Sequence, residues 1–214
     1  MINAINFILE ASKMFESSEF DSWVQSYDAD VIESDSKGTF PFAGYKKLMS
    51  MLYDKISKKA SSRVLDVGIG TGVLSSMLYK NGHCITGTDF STEMLKLAKE
   101  KMPDAELIQW DFTKDVPDCI KNKKFDFIIS TYALHHITYD EKLRLISDLL
   151  MLLDNDGVLF IGDIGFANLE NMEKCKEDDE WDDEFYFVMS EMRLARLVKY
   201  KQLSHCCVLL EFRK

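Results

Sequence analysis

Five short apolar runs recur between residues 61 and 163, at 63–67, 83–89, 105–111, 125–131 and 158–163, and the stretches between them carry helical periodicity. The runs are nearly continuous rather than alternating. A strand with one wet face alternates apolar and polar residues; a strand covered on both faces does not. Strand and helix in turn, joined by right-handed crossovers, confine such a chain to a doubly wound, mostly parallel sheet with helices on both faces. The helices are marked independently. Met94, Leu95, Ala98 and Met102 form one face, stopped by Pro103. Thr138 and Glu141 stand as a capping box, followed by a stripe of Ile146, Leu149, Leu150 and Leu153 that is expected to run to a stop at 155–157. Residues 206–212 read as a last strand, with 200–203 beside it.

The first 60 residues contain no strong strand. Tyr45, Leu48, Met49, Leu52 and Ile56 lie on one helical stripe, Gly38 and Pro41 mark a loop before it, and Ile2, Ile5, Ile8 and Leu9 suggest a further short helix. The expected organisation is a helical cap over residues 1–60 and an α/β domain over 61–214, forming one structural unit. A length of 214 residues suits it.

Charge and cysteine content narrow the function. The formal net charge is −10, the wrong sign for a surface that neutralises phosphates, so nucleic acid is not an expected partner. The five cysteines are odd in number and include no CxxC pair, which fits free thiols in a reducing compartment and no metal site. The start of the chain has no basic segment followed by an apolar core, and no apolar run approaches a membrane span. The expectation is a cytoplasmic protein.

The chemistry is concentrated in VLDVGIGTG at 64–72, which follows a strand-like run and opens a helix. Glycines there let a ligand approach the backbone, and the helix start offers N–H groups. A dinucleotide site has G-x-G-x-x-G. Here the spacing is G-x-G-x-G, and Asp66 stands two residues before the first glycine. A carboxylate so close opposes a pyrophosphate and suits a ligand with an ammonium group. Asp89 closes the second strand, where a carboxylate can accept from ribose hydroxyls. Asp111 can accept from an adenine amine, and Phe90 or Phe112 can pack on the ring.

With GTDFSTEML at 87–95, WDF at 110–112, FDFIISTYALHHI at 125–137 and DGVLFIGD at 156–163, the chain resembles the class I S-adenosylmethionine (AdoMet)-dependent methyltransferases from about Phe20 onward. More narrowly, FDSWVQSYDADV at 20–31 and GYKKLM at 44–49 look like the cap of small bacterial methyltransferases of the YrrT type, a group associated with sulfur amino-acid metabolism. The resemblance implies a Rossmann-like, seven-stranded sheet with a final antiparallel strand, and AdoMet as methyl donor with S-adenosylhomocysteine (AdoHcy) as product. It implies that Gly68 and Gly70 line the methionine part and that Asp66 faces its amino group. Asp89 would hold the ribose and Asp111 the adenine edge, with Ser130 and Thr131 below the sulfonium.

Methyl transfer from a sulfonium is an in-line displacement, so positioning and water exclusion dominate, and a base is needed only for an acceptor that loses a proton early. His135 and His136 follow the fourth strand; each can serve as that base or hold the neighbouring loop. Tyr27 and Trp23 can contact substrate or pack a lid, and Asp163 can meet the acceptor or make a structural hydrogen bond. The acidic stretch 173–184 can attract a cationic acceptor or form a solvated face. The expected reaction is methylation of a small molecule. A methyltransferase acting on a protein or RNA site, a non-catalytic AdoMet or AdoHcy sensor and a nucleotide-binding oxidoreductase stand as alternatives. The oligomeric state is open.

Overall fold

The computed structural model describes residues 27–176 and 185–214. The expected first helix within residues 1–19, Trp23, and residues 177–184 of the acidic stretch lie outside the described residues. Two helices come first, α1 (Tyr27–Lys37) and α2 (Tyr45–Ile56). The alternating part follows as β1 (Arg63–Val67), α3 (Val73–Lys80), β2 (Cys84–Asp89), α4 (Thr92–Lys101), β3 (Glu106–Gln109), α5 (Asp118–Lys121) and β4 (Phe125–Thr131). A 3-10 turn (Leu134–His136) leads into α6 (Tyr139–Leu152), β5 (Leu153–Phe166) and α7 (Leu169–Lys176). The chain closes with β6 (Phe187–Val188), β7 (Leu197–Gln202) and β8 (Cys207–Phe212).

The sheet order is β3-β2-β1-β4-β5-β8-β7, with the two-residue β6 added beside the end of β5. β1 to β5 run parallel, and β8 is antiparallel to both β5 and β7. This is the expected seven-strand path with its antiparallel member, plus one short extra strand. The chain builds outward from β1 to β3, then returns across β1 to begin β4. Such a reversal opens a crevice at the carboxyl ends of the strands, between β1 and β4.

Strand alternation sorts the core into two layers. Val64, Phe127, Ile129 and Phe160 pack with Leu48 and Leu52 of α2 and with Leu74 and Leu78 of α3. Leu65, Ile128, Leu159 and Phe212 pack on the other side with Leu145 and Leu149 of α6. Helix α2 is pressed into the first layer: a Cβ added at Gly162 would lie 2.5 Å from Leu48 Cδ2. Helix α1 is tied to the rest through Asp28, whose Oδ1 accepts from Thr71 Oγ1 at 2.8 Å.

The capping box of α6 forms as expected, with Thr138 and Glu141 each satisfying the other's backbone N–H. The end of that helix differs from the reading of its stripe. Leu153 adopts extended backbone and already pairs with Phe125, so β5 begins where the stripe suggested more helix. An apolar residue at helical spacing satisfies either element when both are buried.

Candidate active site

The cleft lies at the carboxyl end of β1. Its first wall is the turn from β1 into α3. Gly68, Gly70 and Gly72 all have positive φ. Gly68 is required twice over: its φ is +73°, and a Cβ there would sit 2.6 Å from the Cβ of Ala133. Gly70, at φ +54°, has open space where a Cβ would project. The N–H groups of Gly68 and Ile69 donate to Thr88 O at 2.8 and 2.9 Å, which anchors the turn on β2.

Asp66 lies beneath this turn and is 3% exposed. Alternation along β1 sends its side chain to the α3 side, where Ser75 Oγ donates to Oδ2 at 2.6 Å. Its Oδ1 is buried with no hydrogen-bond partner among the described residues. Burial drives the carboxyl upward, the Ser75 hydrogen bond opposes this, and the nearby Asp89 adds to it; Asp66 is pushed up to about 7. A buried carboxylate with one unmet oxygen is a place for a cationic donor.

Asp89 closes β2. Its Oδ2 accepts the Gly70 N–H at 2.8 Å and its Oδ1 the Ser91 N–H at 3.0 Å. Phe90, Met94 and Phe112 line the cleft beside it.

The second wall comes from α2 and from the chain after β4. Tyr45, Met49, Thr131, Tyr132, Ala133 and His136 face the same space. Tyr132 has φ +50°, the left-handed region that an aromatic residue rarely enters, and its N–H donates to Gly162 O at 2.9 Å. Strain held in this way is a common mark of a functional turn. Here it brings Ala133 against Gly68 and His136 to the cleft.

The expected site residues divide. Asp66, Gly68, Gly70, Asp89, Phe90, Phe112 and His136 line one cleft. Asp111 does not: its Oδ1 is occupied by the N–H and hydroxyl of Thr113 at 2.9 and 2.6 Å. Ser130 does not either. It shares a strand face with Ile128, and its Oγ donates to Val67 O at 2.8 Å, so only its neighbour Thr131 reaches the cleft. His135 is buried directly behind His136, ring centroids 4.0 Å apart, with Nδ1 2.5 Å from Asp163 Oδ1. Tyr27 begins α1, and its side chain is outside the described set. Tyr45, Met49 and Tyr132 had no signal of their own in the sequence. The nearest one was the position of Tyr45 at the head of an apolar stripe.

A doubly wound sheet of this order, with a glycine turn, an acid beneath it and a second acid closing β2, defines a class I methyltransferase fold. Residues 64–157 match the methyltransferase domain family. An uncharacterized methyltransferase of Bacillus cytotoxicus is 36% identical over 160 residues, which cover 74% of this chain and 71% of that one. One from Alkaliphilus oremlandii is 32% identical over 151 residues, 71% of this chain and 68% of that one. Among solved structures, a magnesium protoporphyrin IX methyltransferase from Synechocystis with bound SAH superposes with a TM-score of 0.66 at 17% identity, covering 93% of this chain and 100% of that one. The chain belongs to the methyltransferase family.

Proposed function

We propose that the cleft binds AdoMet along the glycine turn and the end of β2, and that a small-molecule acceptor is held against α2 and the turn after β4. The observation that carries this reading is Asp66. Its unmet Oδ1 fits the amino group of a methionine moiety, and the open side of Gly70 leaves room for the ligand's approach. Asp89 would face the ribose hydroxyls from the end of β2, and Phe90 and Phe112 would flank the adenine. When bound, AdoMet supplies an activated methyl carbon on a sulfonium.

The remaining work belongs to the protein. Tyr45 and Tyr132 would orient the acceptor and keep water away, with Thr131 beside the sulfonium. His136 is placed to take a proton from an acceptor that must lose one. His135 is assigned to holding the turn rather than to catalysis. The contact of Asp28 with Thr71 sets α1 beside the glycine turn, which supports a small acceptor over a macromolecular one. The resemblance at 20–31 and 44–49 is the basis for sulfur amino-acid metabolism as a setting; among the described residues of the cleft, none selects sulfur.

The test is calorimetric titration with AdoMet, AdoHcy and NAD, beside Asp89→Ala. Micromolar binding of the first two, weakened in the variant, supports the reading. Preference for NAD, or no binding of either sulfur ligand, overturns it.

A further inference from the structure

We infer that the acceptor half of the cleft is built for a cationic group, an amine- or ammonium-bearing small molecule packed on the rings of Tyr45 and Tyr132, and that it rejects carboxylates and phosphates. The inference rests on reading the cleft as a donor half and an acceptor half.

The charge inventory comes first. Among the described residues that line the cleft there is no lysine and no arginine. Its carboxylates, Asp66 and Asp89, belong to the donor half, and His136 is its basic side chain. Sites for carboxylate or phosphate rely on an arginine fork, a lysine or a free helix start. The start of α2 reaches the acceptor half, but it already faces a carboxylate of its own: Asp35 Oδ1 accepts the Gly44 N–H at 2.9 Å. An anion arriving there would meet a positive end that is already matched.

The rings come second. Tyr45 and Tyr132 lie with centroids 5.6 Å apart and planes inclined at 41°, and Phe42 stands 5.2 Å from Tyr132. Both tyrosines line the cleft, and an aromatic ring met face-on attracts a cation and gains nothing from an anion. The acids around them act in the same direction. Burial, then Asp28, Asp66 and Asp35, holds the Tyr45 phenol well above its usual range, and Asp163 is among the groups that do the same to Tyr132. Both rings therefore stay neutral phenols.

The experiment uses AdoHcy-saturated protein and three probes of matched shape, followed by ligand-observed NMR. They are choline, its uncharged tert-butyl alcohol analogue, and the corresponding tert-butyl carboxylate. Choline is expected to bind about fivefold or more tighter than the uncharged analogue, with the carboxylate weakest. Tyr45→Leu should erase most of the difference between choline and the alcohol while AdoHcy affinity is retained, which also shows that the variant is folded. Tyr132→Leu is the second variant, judged by the same two readouts. Equal or tighter binding of the carboxylate, no preference for choline over the alcohol, or binding of none of the three overturns the inference. Failure of AdoHcy itself to bind instead strikes the reading of the cleft on which it rests.

Discussion

Asp163 and His135 form a buried pair behind the cleft-lining His136, with His135 Nδ1 2.5 Å from Asp163 Oδ1. The same carboxylate accepts the N–H groups of Leu134 at 2.8 Å and Ile164 at 2.7 Å. It therefore fastens the turn after β4 to the end of β5, and the turn carries His136 to the cleft. Burial pushes Asp163 upward, but the charge and hydrogen bond of His135, the Ile164 N–H and Lys142 outweigh it and hold the group below the usual carboxylate range. A depressed acid contributes stability that is present above its unfolded value, near 3.8, and is lost as pH falls through the folded one. Asp163→Asn is expected to cost about 3–5 kcal/mol at neutral pH, because it removes the charged member of a buried pair. Urea unfolding at neutral pH measures this, and the gap from the parent should narrow in strong acid. An unchanged midpoint would show that the pair does not hold the turn.

Asp66 carries the opposite sign. Its folded value is raised from 3.8 to about 7, so between those limits the folded protein holds the extra proton. Stability of the ligand-free protein should fall as pH rises through that window and level off above it. A bound ammonium favours the ionised carboxylate. AdoHcy affinity is therefore expected to rise by up to about tenfold per pH unit on the way to neutrality, then flatten. Calorimetry in two buffers of different ionisation enthalpy should detect proton release on binding near pH 6, and Asp66→Asn should abolish it. Affinity independent of pH between 5 and 8 in the parent would remove Asp66 from the ammonium site.

The sequence carried most of the fold because continuous apolar runs and capping chemistry are local signals. β1 and β4 lie where the runs placed them, and the Thr138–Glu141 cap formed. The donor half of the cleft was legible for the same reason: its glycines and acids sit at strand ends in fixed order. What escaped depends on direction rather than position. Ser130 and Thr131 are adjacent, and alternation sends only one of them to the cleft. His135 and His136 are adjacent, and the turn buries one against Asp163. Tyr45 joins the cleft because α2 packs on β5 from far away in sequence, a contact that no local pattern encodes.

Two glycines of the turn should fail differently. Gly68→Ala adds an atom 2.6 Å from Ala133 Cβ in a residue at φ +73°. Left-handed strain and overpacking together should cost about 2–5 kcal/mol. Gly70→Ala, at φ +54° with nothing within 4 Å, meets only the strain, about 1–2 kcal/mol. It should still fold, and its AdoHcy affinity should fall because the new methyl enters the cleft. Thermal unfolding and AdoHcy titration on both variants separate the two effects. Equal destabilisation would mean that the Ala133 contact gives way freely.

The last expectation concerns the neighbours at the end of β4. Ser130 Oγ donates to Val67 O at 2.8 Å and is fully buried, so it ties β4 to β1 beneath the glycine turn. Ser130→Ala removes that donor and leaves a buried carbonyl short of a partner, a loss of about 1–2 kcal/mol. AdoHcy affinity should stay within about twofold, since the side chain points away from the cleft and the loss is a single neutral hydrogen bond. Thr131→Leu should behave in reverse: its unfolding midpoint should move little, while the added bulk enters the cleft and weakens AdoHcy. Urea unfolding and calorimetry on the pair decide the matter. If Ser130→Ala weakened the ligand and Thr131→Leu did not, the assignment of strand faces at the end of β4 would be wrong, and with it the choice of Thr131 over Ser130 as a wall of the site.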